Sequence, residues 1–493
     1  MARRRRIPRL VAPGSQTSEV LAAILLAIAI LFGAVAGQAV STARFVVGGL
    51  GGLLFFLIAM SGRVSAIRLL FIWMILLGFI RRLLIPFAGW SLEDPLLLVG
   101  PAGAILIWLN GRHESPRRRD ALSFFALLFL IWSIGQILNP LAGSVVLGLK
   151  GALFWIPPIL WLFVGKTFPI KLHRNLATII MVMAIPVAIH GLYQNAVGLL
   201  PFEYTWVGVS GFGSSIFFEG FKIRPFATLS SPQEYGVFLA LANTFVWGTV
   251  LARQKHLPWR LMLQGLLIFA QFLQGTRSTF ALTLLMFFVT SIVWTKSAGL
   301  KMALVGIAIA LVGVVKLDLL PTDFGEGGIA TAIEHQVSGF QNPEESTAGL
   351  HADMIQEGFE KAWAHPLGLG TGVTTRASEK AGTFGGTTEA DITNVFISFG
   401  IPVGLFYLLF LLIAFTTSLR RFYLYKTGYA IAAFGCLIVV FGNIWNGGLY
   451  ATVAILWFTI GGLSRPIDEE LKESLAQGVP AEEPTAAPLP VPV

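Results

Sequence analysis

Residues 391–417, DITNVFISFGIPVGLFYLLFLLIAFTT, decide what kind of protein this is. After Asp391 the run carries no charged side chain, and its apolar residues follow one another without the alternation that a half-buried or barrel strand requires. A helix rises about 1.5 Å per residue, so roughly 17 to 25 such residues cross about 30 Å of hydrocarbon. In lipid every backbone N–H and C=O needs a partner, which makes a continuously apolar segment helical. The stretch reads as a membrane span.

The same pattern recurs outward from it. Preceding spans read near 20–40, 45–60, 66–80, 94–109, 121–138, 144–164, 176–198, 234–251, 260–274, 278–295 and 300–317, and two more follow near 427–443 and 446–462. Several are short enough to be re-entrant or merged. The fold class expected is an all-α polytopic integral membrane protein with about 12 to 14 transmembrane helices. A content of 55% hydrophobic and 12% charged residues in 493, with mean hydropathy +0.74, excludes a set of soluble domains.

The chain divides into a basic cytoplasmic arm (1–19), transmembrane helices interrupted by an outer loop at 199–233 (20–317), a large periplasmic loop containing short helices (318–390), C-terminal transmembrane helices (391–463) and a disordered Pro/Ala/Glu-rich cytoplasmic tail (464–493). Charge sets the orientation. With Arg3 to Arg6 inside, every alternate loop is basic, and 24 of the 35 Lys and Arg residues fall on that side. The net charge of +9 is therefore mostly topogenic and calls for no nucleic-acid partner. Both termini are then cytoplasmic, and the location expected is the bacterial inner membrane. A cleavable signal peptide is the rival reading of the start, with Ala34-Val35-Ala36 as its processing site, but the apolar run is long for one. The single Cys436 excludes an intramolecular disulfide framework.

The loop 318–390 reverses the charge pattern, with eleven acidic and three basic residues. Within it, 350–364 reads as an amphipathic helix bearing Met354, Phe359 and Trp363, ended by Pro366 and the glycines of Pro366-Leu-Gly-Leu-Gly-Thr-Gly372. Basic residues also stand where positive-inside selection disfavours them: Arg44, Arg81, Arg82, Lys222, Arg224, Arg277 and Lys316, at or near outer span ends. Snorkelling to headgroups accounts for Arg44 and Lys316. Arg277 is different, because it follows Gln264, Gln271 and Gln274, whose spacings of seven and three put the amides on one helical face toward a bundle or cavity. Arg224 opens Arg-Pro-Phe-Ala-Thr-Leu-Ser-Ser-Pro-Gln-Glu, which leads straight into a span. Two guanidiniums at the outer surface suit a diphosphate, since each offers a planar fork of donors and stays charged. The structural alternative pairs them with Glu234 or Glu389.

These segments resemble the O-antigen ligase and polymerase superfamily of membrane glycosyltransferases. Arg224-Pro-Phe-Ala-Thr-Leu-Ser-Ser-Pro-Gln-Glu-Tyr-Gly236 is similar to that family's Arg…Gly-Thr-Phe…Asn-Pro-Asn segment, and Gly275-Thr-Arg277-Ser-Thr279 to its Ser-Arg-Gly motif. Trp363-Ala-His-Pro-Leu-Gly-Leu-Gly-Thr-Gly372 resembles its Trp…Pro-Leu-Phe-Gly-Val-Gly segment, and Asn394-Val-Phe-Ile-Ser-Phe-Gly-Ile-Pro-Val-Gly404 its Asn…Gly-Ile-Leu-Gly helix start. Order and outer-loop position also match, over about 170–460. The resemblance implies transfer of a glycan from an undecaprenyl-diphosphate carrier to a glycan or lipid hydroxyl acceptor on the periplasmic face, without a metal or other cofactor, with Arg224 and Arg277 on the donor diphosphate.

One departure matters. The family's ligases carry a His-Asn pair at the start of the last of these segments, whereas here Thr387-Thr-Glu389-Ala-Asp391-Ile-Thr-Asn394 holds no histidine. Glu389 stands at the corresponding spacing from Gly400. Glu389 or Asp391 is then the general base, or a cap for the following span, with His351 and His365 as further candidates. The departure favours a surface-polysaccharide polymerase over a ligase. Arg81, Arg82, Lys150, Gln274, Glu234 and Asn394 complete the candidate substrate-binding set, with Lys150 within a span facing a lipid phosphate. His190 and Gln194 share a face suited to interhelical hydrogen bonding. A transporter or flippase is the rival from another class; it calls for ionisable residues at the bilayer midplane, where the spans hold hardly any besides Lys150.

The orientation predicts that cysteines introduced at Ser115 and Lys255 stay shielded from an impermeant thiol reagent in intact cells while one at Ser346 is labelled. Labelling at Lys255 reverses the topology.

Overall fold

A computed structural model describes residues 42–91, 94–114, 120–210, 217–218, 222–252, 256–306, 348–375, 390–445 and 447–465, with isolated positions between 330 and 341. The first span (20–40), most of the 300–317 span, Lys316, Glu389 and the tail after 465 lie outside the described residues.

The described chain is helical almost throughout. In order it forms α1 (Thr42–Ser61), α2 (Arg63–Leu83), α3 (Val99–Gly111), α4 (Ala121–Ile137), α5 (Val145–Thr167), α6 (Ile170–Ala196), α7 (Pro201–Ser210), α8 (Pro232–Leu251), α9 (Leu257–Gln274), α10 (Arg277–Trp294), α11 (Ala348–Ala364), α12 (Asp391–Phe399), α13 (Ile401–Tyr425), α14 (Gly428–Val439) and α15 (Tyr450–Leu463). Seven of these are long and apolar enough to cross a membrane, and four shorter apolar helices accompany them. The chain is an all-α protein with the helices of a membrane protein. A two-residue antiparallel pairing, Phe217–Phe218 with Lys222–Ile223, is the extended structure among the described residues.

Helix starts follow ordinary capping chemistry. Asp120, Ser144, Ser231 and Thr427 each accept a hydrogen bond from a backbone N–H in the first turn of the helix they precede. Helices α5 and α15 cross where both carry glycine. A Cβ on Gly165 would fall 2.2 Å from the Phe458 carbonyl oxygen, and one on Gly461 2.2 Å from that of Leu162. Small residues there let two backbones touch, the form of contact that holds helices together where lipid supplies no hydrophobic drive.

The segment 391–417 is not one helix. It breaks at Gly400, whose φ of +86° and ψ of 172° suit glycine alone, so α12 and α13 are separate elements. The Pro366–Gly372 loop fills the break: Ile401 donates its N–H to the Pro366 carbonyl, Leu369 to that of Ile397 and Gly370 to that of Ser398. A Cβ on Gly400 would meet the Pro366 oxygen at 2.4 Å, and one on Gly368 the Ser398 oxygen at 2.6 Å. Three of the loop's other carbonyls are taken from the other side. Gln136 donates to Leu367 O (2.8 Å), Asn139 to Gly368 O (2.9 Å) and the Trp155 indole to Thr371 O (3.0 Å), while Trp132 reaches Phe399 O (2.9 Å).

Under this junction lies an aromatic cluster centred on Trp445, which is fully buried. Phe399 stacks on it at 5.3 Å, Phe129 approaches at 4.8 Å, and Trp155 meets it edge-on at 5.4 Å. The amphipathic helix expected at 350–364 is α11, and its buried side is Ala362 with Phe359 against Phe396; Trp363 faces outward at 71% exposure.

Gly400→Ala should lower the apparent Tm in detergent by several degrees, because it places a side chain in a glycine-only conformation and against a carbonyl, together costing about 1–3 kcal/mol. An unchanged Tm means that the α12–α13 break relaxes freely.

Candidate functional site

The site is built where helix N-termini meet at one end of the bundle. The segment 224–231 enters α8 without regular structure, so its backbone groups need side-chain partners. Gln194 supplies one set, its Oε1 accepting from Phe226 N (3.0 Å) and Ala227 N (2.8 Å) while its Nε2 donates to Glu203 at 2.8 Å. Arg82 supplies another, donating to Leu229 O (2.7 Å) and to Ala227 O. Its guanidinium lies over the rings of Phe226 and Trp206, with Glu203 3.9 Å from its Nε. Thr228 bonds to the backbone of α2, and Ala227 has a φ of +46°. Arg224 begins this clamped segment and is itself half-buried.

Glu234 holds the far end of the segment. Its N–H donates to the Ser231 hydroxyl, and its carboxylate accepts from Ser230 N at 3.0 Å and Ala451 N at 2.7 Å. That carboxylate therefore ties the start of α8 to the start of α15, where the N–H groups and helix dipole favour an anion. Gln274 joins the second arginine to the same place. Its Nε2 donates to Pro232 O at 2.6 Å and its Oε1 accepts from Thr276 N at 2.9 Å, fixing the corner from which Arg277 opens α10. Arg277 is also half-buried, and Ser278 beside it is exposed. One hydrogen bond thus separates the two arginine-bearing segments.

The rest of the glutamine stripe faces the bundle. Asn243 donates to Gln271 (2.7 Å) and accepts from Gln264 (2.5 Å), and Gln271 donates to Thr283 (2.8 Å). These amides bind α8, α9 and α10 together.

Asp391 differs from the expectation of a cap. Ala390 is the residue preceding α12, and Asp391, as the first helical residue, is 2% exposed with its carboxylate accepting Trp445 N at 2.6 Å. Its own N–H donates to Gly442 O. It therefore pins the 442–445 turn, which Gln233 also reaches through Asn443 at 3.2 Å. Asn394 lies one turn on, buried.

Two other expectations change. Arg81 is bound to Asp94 (3.0 Å) and Ser91 O (2.9 Å) over the Trp90 ring, and Arg81 and Arg82 are both buried in protein contacts. Arg44 does not snorkel: it is fully buried and paired with the same Asp94. Lys150 is half-buried less than two turns into α5. His351 is in the first turn of α11, and His365 is exposed just past its end. His190 comes within 3.3 Å of Glu203, and Gln194 is fully buried, as the shared face suggested.

Sequence reasoning missed Glu203 and Asp94. Asp94-Pro95 is a helix-start signal, and Asp94 accepts from Leu96 N as an N-cap. Glu203 accepts locally from Leu200 N at 2.9 Å, but the partners that matter here, Arg82, His190 and Gln194, lie on α2 and α6, out of reach of a local reading. Among the described residues no group of three or more His, Cys, Asp or Glu is placed to hold a metal ion. No protein-family model matches the chain, and no curated protein matches it.

Gln194→Leu should leave Phe226 N and Ala227 N unsatisfied at about 1–3 kcal/mol each. Amide exchange across 225–229 should then accelerate at least about tenfold, whereas unchanged protection means that Gln194 does not hold the segment.

Proposed function

We propose that this protein is a periplasmic-face glycosyltransferase that extends or transfers a glycan from an undecaprenyl-diphosphate-linked donor onto a hydroxyl acceptor, most simply as a surface-polysaccharide polymerase of the O-antigen or exopolysaccharide kind. It sits in the bacterial inner membrane with 12 to 14 spans and both termini cytoplasmic. The observation that carries the reading is the pair of half-buried arginines, Arg224 and Arg277, on segments joined through Gln274 and Pro232. The motif resemblance over 170–460 supports it. So does the gathering of the α8, α10, α12 and α15 N-termini, whose dipoles favour a diphosphate there.

In this reaction the acceptor hydroxyl oxygen bonds to the anomeric carbon of the donor sugar while the bond from that carbon to the diphosphate oxygen breaks. The electron pair leaves with the diphosphate, whose growing charge Arg224 and Arg277 stabilise as fixed cations. The hydroxyl proton passes to a carboxylate. Asp391 is already committed to Trp445 N, which favours Glu389 as that base.

Deleting the gene should abolish chain growth while single glycan units persist; accumulation of carrier-linked polymer instead identifies a ligase. Arg224→Ala and Arg277→Ala should each lower polymer by about 100-fold or more with normal membrane insertion, and Lys should restore little because it lacks the bidentate fork. Near-normal polymer in both alanine variants removes the diphosphate assignment. Glu389→Gln should lose turnover at unchanged protein level, and Asp391→Ala should lower protein level. Activity in the first with loss in the second at normal level moves the base to Asp391.

A further inference from the structure

A cavity of about 420 Å³ opens at the end of the bundle opposite Arg224 and Arg277. It lies between the first half of α6, the last turns of α8, the first turns of α9 and the start of α14. Its rim carries Arg174 and Arg260 with His256 and Trp259, and among the described residues no Asp or Glu lines it. Beneath the rim the wall turns apolar, through Met181, Val182 and Ile185 of α6, Leu263 of α9, and Phe245 and Val246 of α8.

The dimensions suit one leaflet. From Arg174 to Ile185 along α6 is eleven positions, roughly 16 Å at a helical rise of about 1.5 Å, or about half of a hydrocarbon layer of about 30 Å. Val182 is 57% exposed, so the trench is open sideways to lipid, and Trp259 is 58% exposed at its mouth, where an indole favours the headgroup level. Two guanidiniums above an apolar trench match a molecule with a phosphate at one end and an acyl chain at the other. Basic pockets between helices at the cytoplasmic surface are where anionic headgroups are held.

We infer that this cavity is a binding site for one anionic glycerophospholipid, its headgroup phosphate on Arg174 and Arg260 and one acyl chain along Met181, Val182 and Ile185. The assignment is separate from the glycan-transfer reading; it uses the proposed orientation only to say that the lipid comes from the cytoplasmic leaflet.

Native mass spectrometry of the full-length protein, released from detergent with equal phosphatidylglycerol and phosphatidylcholine, tests it. The wild type should retain one phosphatidylglycerol with a preference of at least about fivefold, about the effect of a single arginine at an anionic surface. Arg174→Gln with Arg260→Gln should abolish the preference, and Val182→Trp, which fills the trench away from the cations, should reduce retention of both lipids. Inorganic phosphate in excess should leave the bound lipid in place. An unchanged preference in the glutamine variant, equal retention of phosphatidylcholine by the wild type, or full displacement by phosphate overturns the proposal. Should the double variant not fold, Arg260→Gln alone decides, with a threefold or larger loss of preference expected and no loss contradicting the site.

Discussion

Irregular backbone buried in a membrane protein has no water to bond to, and that constraint organises this molecule. Three irregular segments, 224–231, 365–375 and 440–445 with 447–449, meet at one end of the helix bundle. Each is satisfied by long polar side chains from neighbouring helices. Gln194, Arg82 and Glu234 serve the first, Gln136, Asn139 and Trp155 the second, and Asp391 and Trp457 the third, whose Trp445 indole donates in turn to the Trp155 carbonyl. Trp155 meets the second and third segments, and Glu234 ties the first to Ala451 at the start of α15, directly after the third, so the three are one construction. Removing any of these partners leaves a buried backbone group without its bond, which costs more than the bond itself contributes.

The same constraint separates the arginines by role. Arg44, Arg81 and Arg82 are buried against carboxylates, carbonyls and indole rings, which is the condition for burying a guanidinium at all. Arg224 and Arg277 stand half-buried at the edges of segments whose backbone is already fixed by Gln194 and Gln274. A cation held on a rigid backbone beside helix N-termini stabilises an arriving negative charge with little reorganisation, which is what the proposed reaction, with its diphosphate leaving group, requires.

Much of the helical framework was legible in the sequence, because apolar runs report helices wherever lipid is the solvent. The 121–138, 144–164 and 176–198 runs became α4, α5 and α6 with ends shifted by a few residues. The reading of 391–417 as one span failed at Gly400, since its demand for a positive φ comes from the Pro366 loop seated in the break, a contact from outside the run. The polar stripe Gln264, Gln271 and Gln274 was read from its period alone, but its partner Asn243 lies on another helix. The snorkelling reading of Arg44 failed for the same reason, and the burial of Arg81 and Arg82 was equally hidden from it. Topogenic charge rules see only the sequence position of a cation, and the carboxylates that meet these residues, Asp94 and Glu203, come from other elements of the chain.

The framework therefore sets two ends of different chemistry: one with crossing irregular segments and two half-buried arginines, the other with a basic-rimmed trench. The central claim concerns the first. It is tested most directly by photo-crosslinking a diazirine-bearing undecaprenyl-diphosphate analogue to the purified protein and mapping the modified peptides. The account predicts crosslinks within 224–234 and 274–280, displaced by unlabelled undecaprenyl diphosphate. Crosslinks confined to the opposite end of the bundle, or insensitive to that competitor, would contradict it.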